Sequence, residues 1–311
     1  MIVSLTMNPT IDTSSRVGHV VAERKLRCKP PCHEPGGGGI NVSRVIRRLG
    51  GDSLALYLSG GWYGHMLQGL LDQEGLNHSP ISIEGSTRQN VIVLEESSGR
   101  QFRFGMPGPT LHEAEWKRCL EVLETLAPKP DYLVGSGSLS PGVPDDFYAR
   151  VARIATKRGI RLIVDTSGEA LRLAARAGGV YLLKPNMREL RALADHEIKD
   201  ELEQERVVTE IIRKGGSELV VVSLGTAGAL MASKEGSERL RAPTVPIQSK
   251  VGAGDSMVAG IVLSLAQGKS PRDAVHFGVA AGAAAAMTPG TELCRREDTE
   301  RLYRHMVSEN A

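Results

Sequence analysis

The sequence predicts an α/β layered fold with a largely parallel central sheet and a small β lid, and three observations carry that prediction. Short β-type runs alternate with longer helical patterns along most of the chain, as in a sheet covered by helices. Two polar segments, 11–35 and 87–104, break the alternation. No period of roughly twenty to fifty residues recurs, which argues against a solenoid. With 311 residues, 41% hydrophobic and 24% charged, the chain is long enough for one large core and an excursion from it.

The main body is expected from residues 1–10, 36–86 and 105–311. Its strand candidates, in order, are Ile2–Thr6, Ser53–Leu58, Tyr132–Val134, Arg161–Asp165, Val180–Lys184 and Leu219–Ser223. Helical periodicity falls near 41–49, 64–74, 113–126, 145–158, 187–194, 202–214, 255–267, 271–287 and 297–307. The most apolar stretch, Phe277–Met287, covers about half of the ~20 residues a bilayer demands and is rich in Ala and Gly, so it reads as a tightly packed internal helix.

The remaining segments, 11–35 and 87–104, are expected to form the lid. The first carries Pro30, Pro31 and Pro35 and cannot be one long helix. The second reads as a hairpin, Val91–Leu94 then Gln101–Phe104, turning at Ser97-Ser98-Gly99. Alternation places Arg103 on the face opposite Phe102 and Phe104. One face then suits an anionic ligand and the other an apolar neighbour, which predicts a homodimer formed through the lid.

The formal charge of +2 is nearly balanced, so nothing in the whole-chain field points to nucleic acid or a membrane surface. Any phosphate site must be local. Cys28, Cys32, Cys119 and Cys294 include no Cys-x-x-Cys pair and no zinc spacing, which fits free thiols in a reducing compartment. No leader-like or membrane-spanning run is present, and a cytoplasmic location is expected.

Two glycine-rich stretches stand out. In Val251–Ser256, Gly252, Ala253 and Gly254 open an apolar helix, whose first N–H groups and dipole together make an anion site. Asp255 sits in its mouth. A base beside a phosphate cradle suggests phosphoryl transfer, and a turn whose Asp merely caps the helix fits the same residues. In Glu34–Asn41, four successive glycines cost chain entropy, and close approach of backbone to a ligand is the usual compensation. Other templates fail. The Gly-x-Gly-x-x-Gly spacing breaks at Asn41; Leu263 stands where a P-loop ending at Gly268-Lys269-Ser270 needs its first Gly; Ser136 and Ser138 fit no Gly-x-Ser-x-Gly elbow.

Two signatures resemble the ribokinase-like PfkB carbohydrate kinases. One is Gly37-x-Gly39-x-Asn41-x-Ser43 followed by Gly50 and Gly60; the other is Gly252-Ala253-Gly254-Asp255 followed by Ala259-Gly260-Ile261-Val262. The resemblance runs from Met1 to the final helix and implies a three-layer αβα fold. It also implies an ATP- and Mg2+-dependent kinase with Asp255 as general base and Gly252, Ala253 and Gly254 as the anion hole. Lys25-Leu26-Arg27-Cys28, Glu34-Pro35 with its glycines, Thr87-Arg88-Gln89-Asn90 and Phe102-Arg103-Phe104 resemble the branch acting on fructose 6-phosphate. Kinases of fructose 1-phosphate or tagatose 6-phosphate, the alternatives, typically carry Lys where this chain has Gly38 or Gly39. A sugar-phosphate-binding regulator without turnover is the further alternative, and the intact Asp255 argues against it.

Within that resemblance, Lys25, Arg27, Arg88 and Arg103 supply the convergent cationic donors that a phosphate dianion needs. Asp12 and Asn41 resemble the family's hydroxyl-binding pair, and Gly37, Gly38 and Ser138 complete the expected sugar site. Lys184, Asn186 and Glu189 resemble its Asn-x-x-Glu motif, with Glu189 acting on Mg2+ through water; Asn followed three residues later by Glu also fits a plain capping box. Ser223, Gly225 and Gly228 resemble part of its ATP wall. Lys250, where relatives usually carry Thr, Ser, Val or Pro, departs from the pattern and leaves K+ open.

Overall fold

The computed structural model describes residues 1–194 and 196–309. In chain order the elements are β1 (Ile2–Thr6), β2 (Thr10–Val17), β3 (Cys32–Gly36), α1 (Gly38–Arg48), β4 (Leu54–Ser59), α2 (Gly61–Gln73), β5 (Asn77–Ser82), β6 (Arg88–Glu95), β7 (Gln101–Phe104), α3 (Glu113–Thr125), β8 (Tyr132–Ser136) and α4 (Phe147–Arg158). They continue with β9 (Arg161–Asp165), α5 (Gly168–Ala177), β10 (Val180–Leu183), α6 (Met187–Leu193), α7 (Glu201–Arg213), β11 (Ser217–Ser223), β12 (Ala229–Ser233), β13 (Gly236–Leu240), α8 (Ala253–Ala266), α9 (Pro271–Ala286) and α10 (Arg296–Glu309).

Every residue of β1 is buried, as a strand covered on both faces requires. It lies within a nine-stranded sheet ordered β13-β12-β11-β10-β9-β8-β1-β4-β5, parallel from β11 to β5, with β12 and β13 added antiparallel. Val3 and Leu5 point into a core shared with Trp116, Phe147, Tyr148 and Leu171. Ile2 joins the opposite core, with Val45, Ile46, Val258, Ile261 and Val279. These are the three expected layers. The Ala- and Gly-rich stretch is indeed an internal helix, α9: a Cβ on Gly260 of α8 would lie 3.0 Å from the Gly278 Cα, so the two helix backbones nearly touch.

A second, four-stranded sheet has the order β3-β2-β6-β7. Asp12 faces Glu34 on one side and Asn90 on the other, and Ser14 faces Ile92, which in turn faces Arg103. Asp12, Glu34, Asn90 and Arg103 therefore share one face. Ile11, Val91, Val93, Phe102 and Phe104 occupy the other, where Ile11 packs on Ile40, Tyr57 and Leu67 and Phe104 stays 50% exposed.

Four elements were not expected: β5, β12, β13 and α5. β5 is a polar edge strand containing Pro80, a residue confined to edges because it donates nothing to the ladder. β12 and β13 are short strands appended at the opposite edge. The glycine stretch also divides differently, since Gly38 and Gly39 form the first turn of α1 rather than a loop before it. Among the described residues, no helix is long and apolar enough to cross a membrane.

Candidate active site

The site assembles where the carboxyl ends of the parallel strands meet the starts of α1 and α8, the usual ligand position in an open α/β sheet. Gly252 caps α8 with φ 73°, a left-handed conformation, and no side chain caps the helix. A Cβ there would also strike Leu293 at 2.5 Å. The first N–H groups of α8 are thus left for a ligand. Asp255, in that first turn, is held by Asn41, whose Nδ2 donates to Asp255 Oδ2 at 2.9 Å. Burial pushes the Asp255 carboxyl up to about 6, and nearby Asp165 adds to the rise, against the Asn41 hydrogen bond and the Lys184 charge. The carboxylate is therefore poised to accept a proton near neutral pH.

Asn41 comes from α1, which begins at Gly38 behind Gly37 (φ 113°) and likewise lacks a side-chain cap. The four glycines have internal reasons. A Cβ on Gly36 would lie 2.4 Å from Asp12 Oδ2, one on Gly38 2.4 Å from Ser136 Oγ, and one on Gly39 2.5 Å from Thr6 Oγ1. The stretch lets α1, β1, β8 and the small sheet converge on one point.

On the other flank, buried Lys184 follows β10 and places Nζ 3.1 Å from Asp165 Oδ1 at the end of β9. Burial disfavours its charge, but Asp165, Glu189 and Asp255 outweigh that and raise its pKa. Asn186 and Glu189 form a full capping box on α6: the Glu189 N–H donates to Asn186 Oδ1 at 3.0 Å and the Asn186 N–H to Glu189 Oε2 at 2.8 Å. Burial raises the Glu189 pKa, and repulsion from Asp165 adds to it. The capping reading of this pair is thus present in the structure, with a partly buried carboxylate left beside Lys184. Ser223 adjoins it, its N–H donating to the Pro185 carbonyl at 2.9 Å. Gly225 is exposed with open space around it, whereas a Cβ on Gly228 would overlap the Leu240 carbonyl at 1.9 Å.

The profile of the pfkB family carbohydrate kinases matches residues 1–298. The chain belongs to that family. It is 44% identical over 302 residues to the ATP-dependent 6-phosphofructokinase isozyme 2 of Mycobacterium tuberculosis, covering 97% of this chain and 88% of that one. It is 43% identical over 306 residues to the Escherichia coli protein of the same name, covering 98% of each. The crystal structure of E. coli phosphofructokinase-2 in complex with fructose-6-phosphate superposes with a TM-score of 0.92 at 41% identity, over 98% of this chain and 99% of that one. Other structures of the E. coli enzyme are described as a complex with potassium and as a tetrameric inhibited form.

The small sheet brings only some of the remaining residues to this PfkB site. Asp12 accepts from Asn90 Nδ2 at 2.9 Å; burial raises its pKa, opposed by that bond and by the charges of Arg88 and Arg103. Arg88 donates to the carbonyls of Asn8 and Met106 at 3.1 and 3.0 Å, leaving its Nε unpartnered among the described residues. Arg103 is exposed on the Asp12 face. Ser138 is exposed, and its hydroxyl accepts from Asn8 Nδ2 at 3.1 Å. Lys25 and Arg27 are not brought in. They lie exposed in the connection between β2 and β3, which is tied to the far end of the sheet by Lys29 N–H to the Arg16 carbonyl and Val20 N–H to Glu95.

Two residues of the site escaped the sequence reading. Asp165 closes a correctly placed strand, and a carboxylate at the carboxyl end of a parallel strand is itself a signal. Arg44, whose Nη1 donates to Asn41 Oδ1 at 3.4 Å, is a charge in an otherwise buried helix face, three residues after Asn41.

Proposed function

We propose that the chain is an ATP-dependent 6-phosphofructokinase, transferring the γ-phosphoryl group of ATP to the 1-hydroxyl of fructose 6-phosphate. The observation that carries this reading is Asp255, a carboxylate raised to about 6 and fixed by Asn41 in the mouth of an uncapped helix start. As the sugar oxygen bonds to the γ-phosphorus, its proton passes to Asp255, and the bond to the bridging oxygen breaks to release ADP. The first amides of α8, with Gly252, Ala253 and Gly254 offering no bulk, face the charge that develops. Asp12 and Asn41 hold sugar hydroxyls, Gly37, Gly38 and Ser138 line the sugar, and Arg88 and Arg103 face its phosphate. Lys184, Ser223, Gly225 and Gly228 serve the nucleotide side. The full-length match to relatives bearing this name supports the substrate.

Family membership implies ATP and Mg2+. Asp165, Glu189 and Asp255 surround one ammonium, Lys184, so the site is short of positive charge. Among the described residues, no three His, Cys, Asp or Glu side chains could hold a metal alone, which fits an ion carried largely by nucleotide phosphates. Asp165 and Glu189 would hold it, through water. When bound, the ion neutralises phosphate charge. Lys250, where relatives usually carry Thr, Ser, Val or Pro, is exposed just ahead of the α8 start and leaves potassium open.

We read 11–35 and 87–104 as a lid over the sugar, separate from the body formed by 1–10, 36–86 and 105–311. The face bearing Phe102 and Phe104 packs on the body at Ile11 and leaves Phe104 half-exposed, and that exposed part fits a homodimer through the lids. Phe102→Asp with Phe104→Asp is expected to weaken association and raise the sugar-phosphate KM; sedimentation of a wild-type monomer at assay concentration would refute this. The reading places the enzyme in the cytoplasm, with small molecules rather than nucleic acid or membrane as partners. A coupled ADP-release assay across fructose 6-phosphate, fructose 1-phosphate, tagatose 6-phosphate and free fructose tests the function. Fructose 6-phosphate should lead; ADP release from none of them would leave a binding protein.

A further inference from the structure

Arg44 lies on α1, three residues after Asn41 and so on the same side of the helix, and is only 3% exposed. A guanidinium does not shed its charge, so burying it demands partners around its whole fork. Glu74, just after α2, faces one edge: Nε lies 2.8 and 3.0 Å from its two oxygens and Nη2 2.6 Å from one of them. Nη1 donates to the carbonyl of Pro35 in β3 at 2.9 Å and reaches Asn41 Oδ1 at 3.4 Å.

The Asn41 amide is thereby set between a cation and an anion. Its oxygen faces Arg44 and its nitrogen faces Asp255 Oδ2 at 2.9 Å. A flipped amide would turn donor against donor at one end and acceptor against acceptor at the other. We infer that Arg44 is a positioning residue for the phosphoryl transfer, acting through Asn41 to hold the Asp255 carboxylate in place and tying that hold to β3. The inference rests on the reading of Asp255 as the base.

A buried Arg–Glu pair that merely fastens α1 to α2 would give the same contacts, so the test must separate the two. Arg44→Lys keeps the charge and loses the fork. The paired variant Arg44→Met with Glu74→Leu removes the buried cation and its bidentate partner, a replacement that commonly leaves stability unchanged or higher, and leaves Glu34, 3.7 Å from Nη2, as a carboxylate with access to solvent. A double-mutant cycle with Asn41→Ala then reports whether Arg44 works through Asn41. We expect kcat to fall about tenfold or more in both Arg44 variants, the loss of one charge-assisted hydrogen bond, with the ATP KM unmoved and melting of the paired variant near wild type. In the Asn41→Ala background the same changes should add nothing further to the kcat loss. A paired variant within twofold of wild-type kcat, or losses that multiply with Asn41→Ala, would overturn the inference; if the paired variant does not fold, Arg44→Lys supplies the cycle. Wild-type kcat in both Asp255→Asn and Asn41→Ala would remove the base reading along with it, whereas large losses there and none at Arg44 remove this inference alone.

Discussion

Two glycine-rich helix starts meet in this molecule, and they use glycine for different ends. At α1, Gly36, Gly38 and Gly39 leave room for Asp12, Ser136 and Thr6, so the protein itself fills the space a side chain would take. At α8, a Cβ on Gly254 would meet nothing nearer than Lys184 Nζ at 3.7 Å. Gly254 thus has room for a methyl, whereas Gly252 in the same start serves a left-handed turn and lies against Leu293. The first start carries an amide, Asn41, and the second a carboxylate, Asp255, joined at 2.9 Å. On the proposed reading one start positions and the other reacts.

The sharpest way to break that division is Asp255→Asn, which keeps size and hydrogen-bonding capacity while removing the base. General-base catalysis is worth about 10²- to 10⁴-fold, so kcat should fall within or beyond that range while both substrates still bind. Turnover within a few-fold of wild type would show that α8 does not supply the base.

Next in size is the small sheet, which on the proposed reading binds the sugar phosphate beside both starts. Arg103 shares the Asp12 face, and losing one charge-assisted phosphate contact costs about 1.5–3 kcal/mol, roughly ten- to a hundredfold. Arg103→Ala should raise the fructose 6-phosphate KM by that factor and change activity on free fructose little. Equal losses on the two sugars would show that Arg103 does not read the phosphate.

The two starts can also be compared directly by alanine. On Gly38, a Cβ would lie 2.4 Å from Ser136 Oγ and 2.7 Å from the Gly137 backbone nitrogen, which cannot yield as a side chain would. Gly38→Ala should therefore destabilise by about 1–3 kcal/mol, the usual cost of overpacking. Gly254→Ala should leave the melting temperature unchanged or higher and weaken nucleotide use instead. Reversed outcomes in melting and ATP kinetics would reverse the assignment of the two loops.

Which parts were legible in the sequence follows the same line. The interior parallel strands read well because burial on both faces makes them continuous apolar runs, and β9 was placed to the residue, whereas the polar edge strand β5 gave no such run. Gly252 to Asp255 was legible because backbone chemistry at a helix start is local. Arg44, Asp165 and Glu74 were not, because their roles depend on partners in other elements: Arg44 with Glu74, thirty residues on, and Asp165 with Lys184 only through adjacent strands. Lys25 and Arg27 shared the composition of a phosphate site, but their connection is anchored to the far end of the small sheet. Composition could not report that direction.

The smallest effect concerns the proton itself. With Asp255 raised to about 6, the acid limb of kcat/KM should have its midpoint near that pH, activity falling as the carboxylate gains a proton. A sugar phosphate has its own ionisation near 6, so the midpoint alone decides nothing. Asn41→Ala separates the two. Asn41 donates to the ionised carboxylate, so its loss should raise the Asp255 limb; a bond worth about 1 kcal/mol corresponds to roughly 0.7 of a pH unit. The substrate's ionisation would stay where it was. Stability gives an independent check. Because the folded-state pKa is raised from 3.8 to about 6, the protonated carboxyl favours folding below pH 3.8, and that contribution is lost as the pH rises through 6. Asp255→Asn should therefore melt higher than wild type above pH 6, and the gap should close toward pH 4. An unmoved limb together with a melting gap flat in pH would place the titration on the substrate and leave Asp255 without the role of base.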